Sequence, residues 1–120
     1  MSKHETWRTK LAAEMLSGGE GDLHLEYMVT RRSPTQSRRL ADGLLVLSGG
    51  ERILIETKSN RIGYNVVGQV QGKAWQLLQS GEPVDRLVVV CAKGDEAVEA
   101  YCAIHKIEVI ILPVEGPPSR

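Results

Sequence analysis

Asp42, Glu56 and Lys58 are the residues whose types and spacing could do chemistry in this chain. Thirteen residues separate Asp42 from the triplet Glu56-Thr57-Lys58, and among them Gly49-Gly50 joins two apolar runs, "LADGLLVL" and "ERILIETK". A glycine pair between apolar runs reads as the turn of an antiparallel hairpin. Depending on the turn type, such a hairpin sets Asp42 opposite Glu56 or opposite Thr57. Glu56 and Lys58 are two apart and share one face of their strand, and the first of these registers adds Asp42 to that face. Carboxylates held so close raise each other's pKa unless a positive charge lies between them. Mg²⁺ is one such charge, since it takes oxygen ligands, often uses only one or two carboxylates and leaves positions for water and phosphate. A lysine on the same face could orient the attacking water or steady charge on the phosphate. Together these groups suit metal-assisted phosphodiester hydrolysis. The competing reading is structural: Lys58 neutralises one carboxylate at the end of a sheet while the other faces solvent.

The elements that must position these groups follow from hydrophobic periodicity. From Lys3 to Leu16, Trp7, Leu11, Ala12 and Met15 recur at helical spacing, and "SGGEGD" ends that helix. In "DLHLEYMVTRR", Leu23, Leu25, Tyr27 and Val29 alternate with His24, Glu26, Met28 and Thr30, as in a half-buried strand. "SPTQS" reads as a loop, and the two hairpin strands after it are apolar on both faces between their ends. That pattern predicts a central place in a sheet covered on both sides. "NRIGYN" then reads as a turn, and a helix from Val66 to Gln79 sets Val66, Val67, Val70, Ala74, Leu77 and Leu78 on one face before "SGEP" ends it. "DRLVVVCA", "GDEAVEAYCAIH" and "IEVIIL" give strand, helix with Asp95 near its start, and strand, the pattern of a right-handed crossover between parallel strands. The order α-β-β-β-α-β-α-β predicts an α/β fold on a mixed sheet. One domain is expected over residues 1–113, with a frayed, proline-rich tail over residues 114–120.

Composition narrows the classes further. With 42% hydrophobic and 25% charged residues, the chain is neither disordered nor fibrous. No run approaches the roughly 20 apolar residues of a membrane span, and "MSKHETWRTK" lacks the apolar core of a signal peptide, so a cytoplasmic protein away from membranes is expected. Cys91 and Cys102 lie in apolar segments without CxxC spacing and read as buried thiols. His4, His24 and His105 form no ligand set by spacing, and neither "SGGE" joins a strand to a following helix as a phosphate loop would. Fifteen basic residues balance fifteen acidic ones, which excludes strong overall attraction to a polyanion. Residues 31–39 nonetheless hold four arginines and no acid, leaving eleven bases against fifteen acids elsewhere. Such a loop serves as a local phosphate contact or simply as a solvated segment.

Ala41-Asp42, the thirteen-residue interval and Glu56-Thr57-Lys58 resemble the core motif of the PD-(D/E)xK nuclease superfamily, with Ala41 where the motif's proline would stand. The element order resembles that superfamily's restriction endonuclease-like fold, a mixed sheet flanked by helices, as in restriction endonucleases and archaeal Holliday junction resolvases. The likeness runs from the first helix to the last strand. It implies that Asp42 and Glu56 hold Mg²⁺ or Mn²⁺ and that Lys58 acts on the nucleophilic water. Many members add an acid from the first helix, which implies Glu5 or Glu14, with Glu5 preferred. Glu5 also suits the helix dipole without any such role, and Glu26 in the first strand is a third candidate. The helix "VVGQVQGKAWQLL" resembles the one that follows ExK in several branches, including virus-type replication-repair nucleases, where a glutamine reaches toward the site. On a helical wheel Gln69, Lys73 and Gln76 form a stripe along one edge of its apolar face, with Gln71 on the other edge. Gln69 is the preferred candidate, with Lys73 beside it to meet a phosphate. The null alternative is that these residues merely border the core. Trp75 falls away from the centre of that face and is expected to pack on another element or a partner subunit.

The activity so implied is a Mg²⁺-dependent endonuclease acting on DNA, including branched or structured DNA, with Arg31, Arg32, Arg38, Arg39 and Lys73 on the phosphate backbone. So small a domain favours a homodimer, a partner protein or recognition of DNA shape. Two alternatives stand beside it: a non-catalytic nucleic-acid-binding or assembly subunit of the same fold, and an RNA-directed nuclease.

Overall fold

Ser2 starts the first helix, α1 (Lys3–Ser17). Its hydroxyl accepts from the Glu5 N–H while the Glu5 carboxylate accepts from the Ser2 N–H, a reciprocal capping box. Gly18, in the left-handed region at φ +66°, ends the helix. The computed structural model describes residues 1–30 and 39–113. Arg31, Arg32, Arg38 and the tail 114–120 lie outside the described residues.

Five strands follow the expected order: β1 (Asp22–Thr30), β2 (Arg39–Val46), β3 (Arg52–Arg61), β4 (Arg86–Lys93) and β5 (Ile107–Ile111). Helix α2 (Asn65–Gln79) joins β3 to β4, and α3 (Glu96–Ile104), capped by the Asp95 carboxylate on the Ala97 and Val98 N–H groups, joins β4 to β5. The strands form one sheet in the order β1-β2-β3-β4-β5. Its first two junctions are antiparallel and its last two parallel. The fold is therefore α/β with a mixed sheet flanked by helices.

Each face of the sheet buries a separate cluster. Ala12 and Ala13 of α1 pack on Leu45, Ile53, Ile55, Val88 and Val90. On the opposite face Val66, Val70 and Leu77 of α2 and Val98 and Cys102 of α3 join Leu54, Val89 and Cys91. Burial thus covers both faces of the hairpin strands, as their sequences predict. Cys91 and Cys102 are free and buried, and desolvation raises both thiol pKa values. No helix among the described residues is long and apolar enough to cross a membrane.

Three details differ from the periodicity reading. Helix α1 buries Arg8, Thr9, Ala12 and Ala13, while Met15, expected on the buried face, is 59% exposed. The helix lies so close over Gly43 that a Cβ there would stand 2.9 Å from Thr9 Cγ2, and only small side chains fit the contact. Strand β3 runs on to Arg61 because, after a shift in pairing beyond Lys58, Arg61 meets Lys93 of β4. Leu78 is exposed beside the exposed Trp75, since the buried positions Val66, Val67, Val70 and Leu77 turn α2 away from it.

The hairpin turn is closed by the Leu47 N–H on the Glu51 carbonyl at 2.8 Å, with Gly50 at φ +94°. Val46 pairs with Arg52 and Gly43 with Ile55. This is the register that brings Asp42 to Glu56. Gly43→Ala is expected to push α1 off this hairpin and to lower unfolding stability by about 1–3 kcal/mol, read from urea titration. An unchanged midpoint would mean that α1 tolerates the extra methyl.

Candidate active site

Regular pairing between β2 and β3 stops at Gly43 and Ile55, and from Glu56 onward β3 pairs with Val89, Val90 and Cys91 of β4. Where the two strands part, side chains take over. The Thr57 N–H donates to Asp42 Oδ2 at 2.7 Å, and the Asp42 N–H donates to Glu56 Oε1 at 3.3 Å. Each strand thus supplies a carboxylate to a backbone donor of the other. The motif acids meet because the ladder ends one residue before them.

The polar edge of α2 faces the same corner. Lys58 Nζ donates to Gln69 Oε1 at 2.6 Å, Lys73 Nζ to Glu56 Oε1 at 2.8 Å, and Arg39 Nη1 to Gln76 Oε1 at 3.2 Å. The whole stripe read from the sequence therefore contacts charged residues of β2 and β3. Gln71, on the other edge, meets His105 Nδ1. Glu56 is buried, and the Lys73 ammonium that pairs with it is largely enclosed. In the described structure the ammonium expected to meet a phosphate is held by Glu56. The four-carbon stem of Lys73, one turn beyond Gln69 on α2, spans the gap to the carboxylate.

Helix α1 is tied to the same strand by hydroxyls. Thr9 Oγ1 lies 2.7 Å from the Glu5 carbonyl and 2.6 Å from Thr57 Oγ1. A carbonyl can only accept, so Thr9 donates to Glu5 and Thr57 donates to Thr9. This sets Glu5 at the corner, where it lines an open pocket of about 260 Å³ with Lys58, Asn60, Arg61 and Asn65. The other acids considered lie elsewhere: Glu14 is exposed on α1, and Glu26 is 3.8 Å from the Met1 amino group. The sequence reading did not single out Thr9, Thr57 or Arg61. Only the alternation of β3 carried a signal, placing Thr57 on the α1 face.

Burial, with the neighbouring Glu56 charge, pushes the Asp42 carboxyl up from the usual 3.8 to about 6. The Thr57 N–H and Lys73 oppose this, while Glu5 adds to it. Among the described residues no cationic side chain pairs directly with Asp42. No group of three or more His, Cys, Asp or Glu side chains among them is arranged to hold a metal ion. Two hard carboxylates, one without a cation of its own, nevertheless fit Mg²⁺, which is often bound through one or two carboxylates with water and phosphate completing its shell.

Solved structures share this architecture. The chain is similar to the EndoMS–dsDNA2 complex, with a TM-score of 0.67 and 16% identity over 100% of this chain and 47% of that one. It is also similar to a repair endonuclease from Pyrococcus abyssi, with a TM-score of 0.63 and 18% identity over 98% of this chain and 49% of that one. A protein of unknown function, AF1548, gives 0.62 and 12% over 87% and 56%. The chain spans about half the length of these structures. No family model and no curated protein sequence matches it. The shared architecture is the restriction endonuclease-like fold, a mixed sheet flanked by helices, that the element order predicts.

Because the Asp42 pKa is higher folded than unfolded, the folded state binds that proton more tightly. Its stabilisation is full below about 3.8 and is lost as pH rises through about 6. Asp42→Asn lacks this titration. In metal-free urea titrations its stability relative to the parent protein is expected to climb between about pH 4 and pH 6 and then level off. A flat difference across that range would contradict the raised pKa.

Proposed function

We propose that this chain is a metal-dependent endonuclease that hydrolyses DNA phosphodiester bonds, with Asp42 and Glu56 holding Mg²⁺ or Mn²⁺. The observation that carries the reading is the meeting of Asp42 and Glu56 where β2 and β3 part, with Lys58 on the same strand two residues on. Architectural likeness to the EndoMS–dsDNA2 complex and to a repair endonuclease supports it. Bound Mg²⁺ would supply Lewis acidity toward the phosphate and lower the pKa of water.

The chain's own residues do the rest. The Lys58 ammonium orients the attacking water and steadies negative charge on the phosphate, and the 2.6 Å contact with Gln69 fixes where it points. Glu5 lines the same pocket as Lys58, with its carboxylate held by the Ser2 N–H. Arg39, with Arg31, Arg32 and Arg38, grips the DNA backbone, each contact adding affinity through counterion release. Reading of bases needs more surface than this site offers. Branched or distorted DNA, recognised by shape as a homodimer or with a partner protein, is the substrate class proposed.

One observation favours a second reading. Glu56 is already paired with Lys73 and Lys58 with Gln69, contacts that a non-catalytic binding subunit could also use. Plasmid, branched DNA, single-stranded DNA and RNA incubated with Mg²⁺ or Mn²⁺ separate these readings. Cleavage of DNA is expected, falling at least about 100-fold in Asp42→Asn, Glu56→Gln and Lys58→Met. Cleavage that survives these changes overturns the site assignment. DNA binding without cleavage supports the binding subunit, and cleavage of RNA alone redirects the substrate.

A further inference from the structure

Lys73 reaches from α2 to Glu56 Oε1, 2.8 Å away, with 15% of its side chain exposed and 4% of its partner's. That same oxygen accepts the Asp42 N–H. Mg²⁺ sits about 2.1 Å from its oxygen ligands, so an ion on Glu56 Oε1 would lie within about 5 Å of the ammonium. Positive charges at that range in a corner shielded from water repel strongly. The two cations cannot share the oxygen comfortably. An ammonium also neutralises only one carboxylate here, because no cation among the described residues pairs with Asp42. A divalent ion between Asp42 and Glu56 would neutralise both.

We propose that Lys73 is a built-in competitor for the divalent metal: its ammonium occupies one Glu56 oxygen and repels an ion arriving at either, and this holds metal affinity low. The inference rests on Asp42 and Glu56 being the metal ligands. It differs from the expected role of Lys73 as a plain phosphate contact, because it makes the lysine act on metal loading before any nucleic acid is present. In metal-free protein the ammonium holds the corner together, and metal loading weakens that hold.

Calorimetric titration of the full chain with Mn²⁺, in the absence of nucleic acid, tests this on the parent protein, Lys73→Met, Lys73→Arg and Glu56→Gln. Lys73→Met is expected to bind Mn²⁺ at least about tenfold more tightly than the parent, and Lys73→Arg about as weakly as the parent. Thermal denaturation gives a second readout: Lys73→Met melts below the parent without metal and gains more from added Mn²⁺. Should Lys73→Met fail to fold without metal, Lys73→Gln is titrated in its place against the same expectation. Equal or weaker Mn²⁺ binding by Lys73→Met (or Lys73→Gln), with binding by the parent that Glu56→Gln abolishes, overturns the competition and leaves the metal ligands standing. No Mn²⁺ binding by any of the proteins overturns the ligand assignment and the competition with it.

Discussion

Two backbone N–H groups, those of Asp42 and Thr57, meet carboxylates where β2 and β3 stop pairing. Backbone donors in a packed interior must find partners, and leaving one unpaired costs as much as losing a hydrogen bond. Here the partners are Glu56 and Asp42, crossing from one strand to the other. The acids are therefore part of how the sheet ends and not charges added to a finished strand. Their positions are fixed by the same bonds that complete the backbone, which is why both arrive at one corner without a loop to carry them.

That corner lies on β3, the strand at which the sheet changes from antiparallel to parallel pairing. Glu56 and Lys58 stand at and just past the middle of β3, with β2 departing on one side and β4 continuing on the other. Two helices close over the space left. Helix α1 comes within reach because Gly43 has no side chain and Thr9 is small, and the Thr9–Thr57 hydroxyl contact fixes its height. Helix α2 lays its polar edge along the other face, giving Lys58, Glu56 and Arg39 one partner each.

The parts legible in the sequence are those set by local chemistry. The Gly49-Gly50 turn limits the hairpin to two registers, so one of the two had to place Asp42 against Glu56. The polar stripe on α2 follows from 3.6-residue periodicity alone. Less legible were features set by how close two elements come. Trp7, Leu11, Ala12 and Met15 made the apparent apolar stripe of α1, yet of these only Ala12 is fully buried, and the close approach over Gly43 adds Thr9 and Ala13 in place of Met15. Lys73 showed its edge of the helix but not its partner, because which strand residue lies beneath it depends on the crossover angle of α2. The end of β3 was likewise hidden, since Arg61 stays in the strand by pairing with Lys93 on a neighbour far along the chain.

The charges of this corner are a poor way to gain stability. Burying an acid with a lysine loses hydration on both, and apolar side chains of similar volume close such gaps as well or better. Glu56 and Lys73 lie on the same face as Leu54, Val66 and Val70, a setting that would accept an apolar pair. Asp42 adds a carboxyl that burial and its acidic neighbours hold at about 6, despite a hydrogen bond from Thr57 and the field of Lys73. Lys73 is matched by Glu56, and Lys58 is spent on a neutral amide. Around Asp42, with Glu5 close by, negative charge outweighs what the nearby cations offset. That uncompensated charge is what the proposed divalent ion would offset.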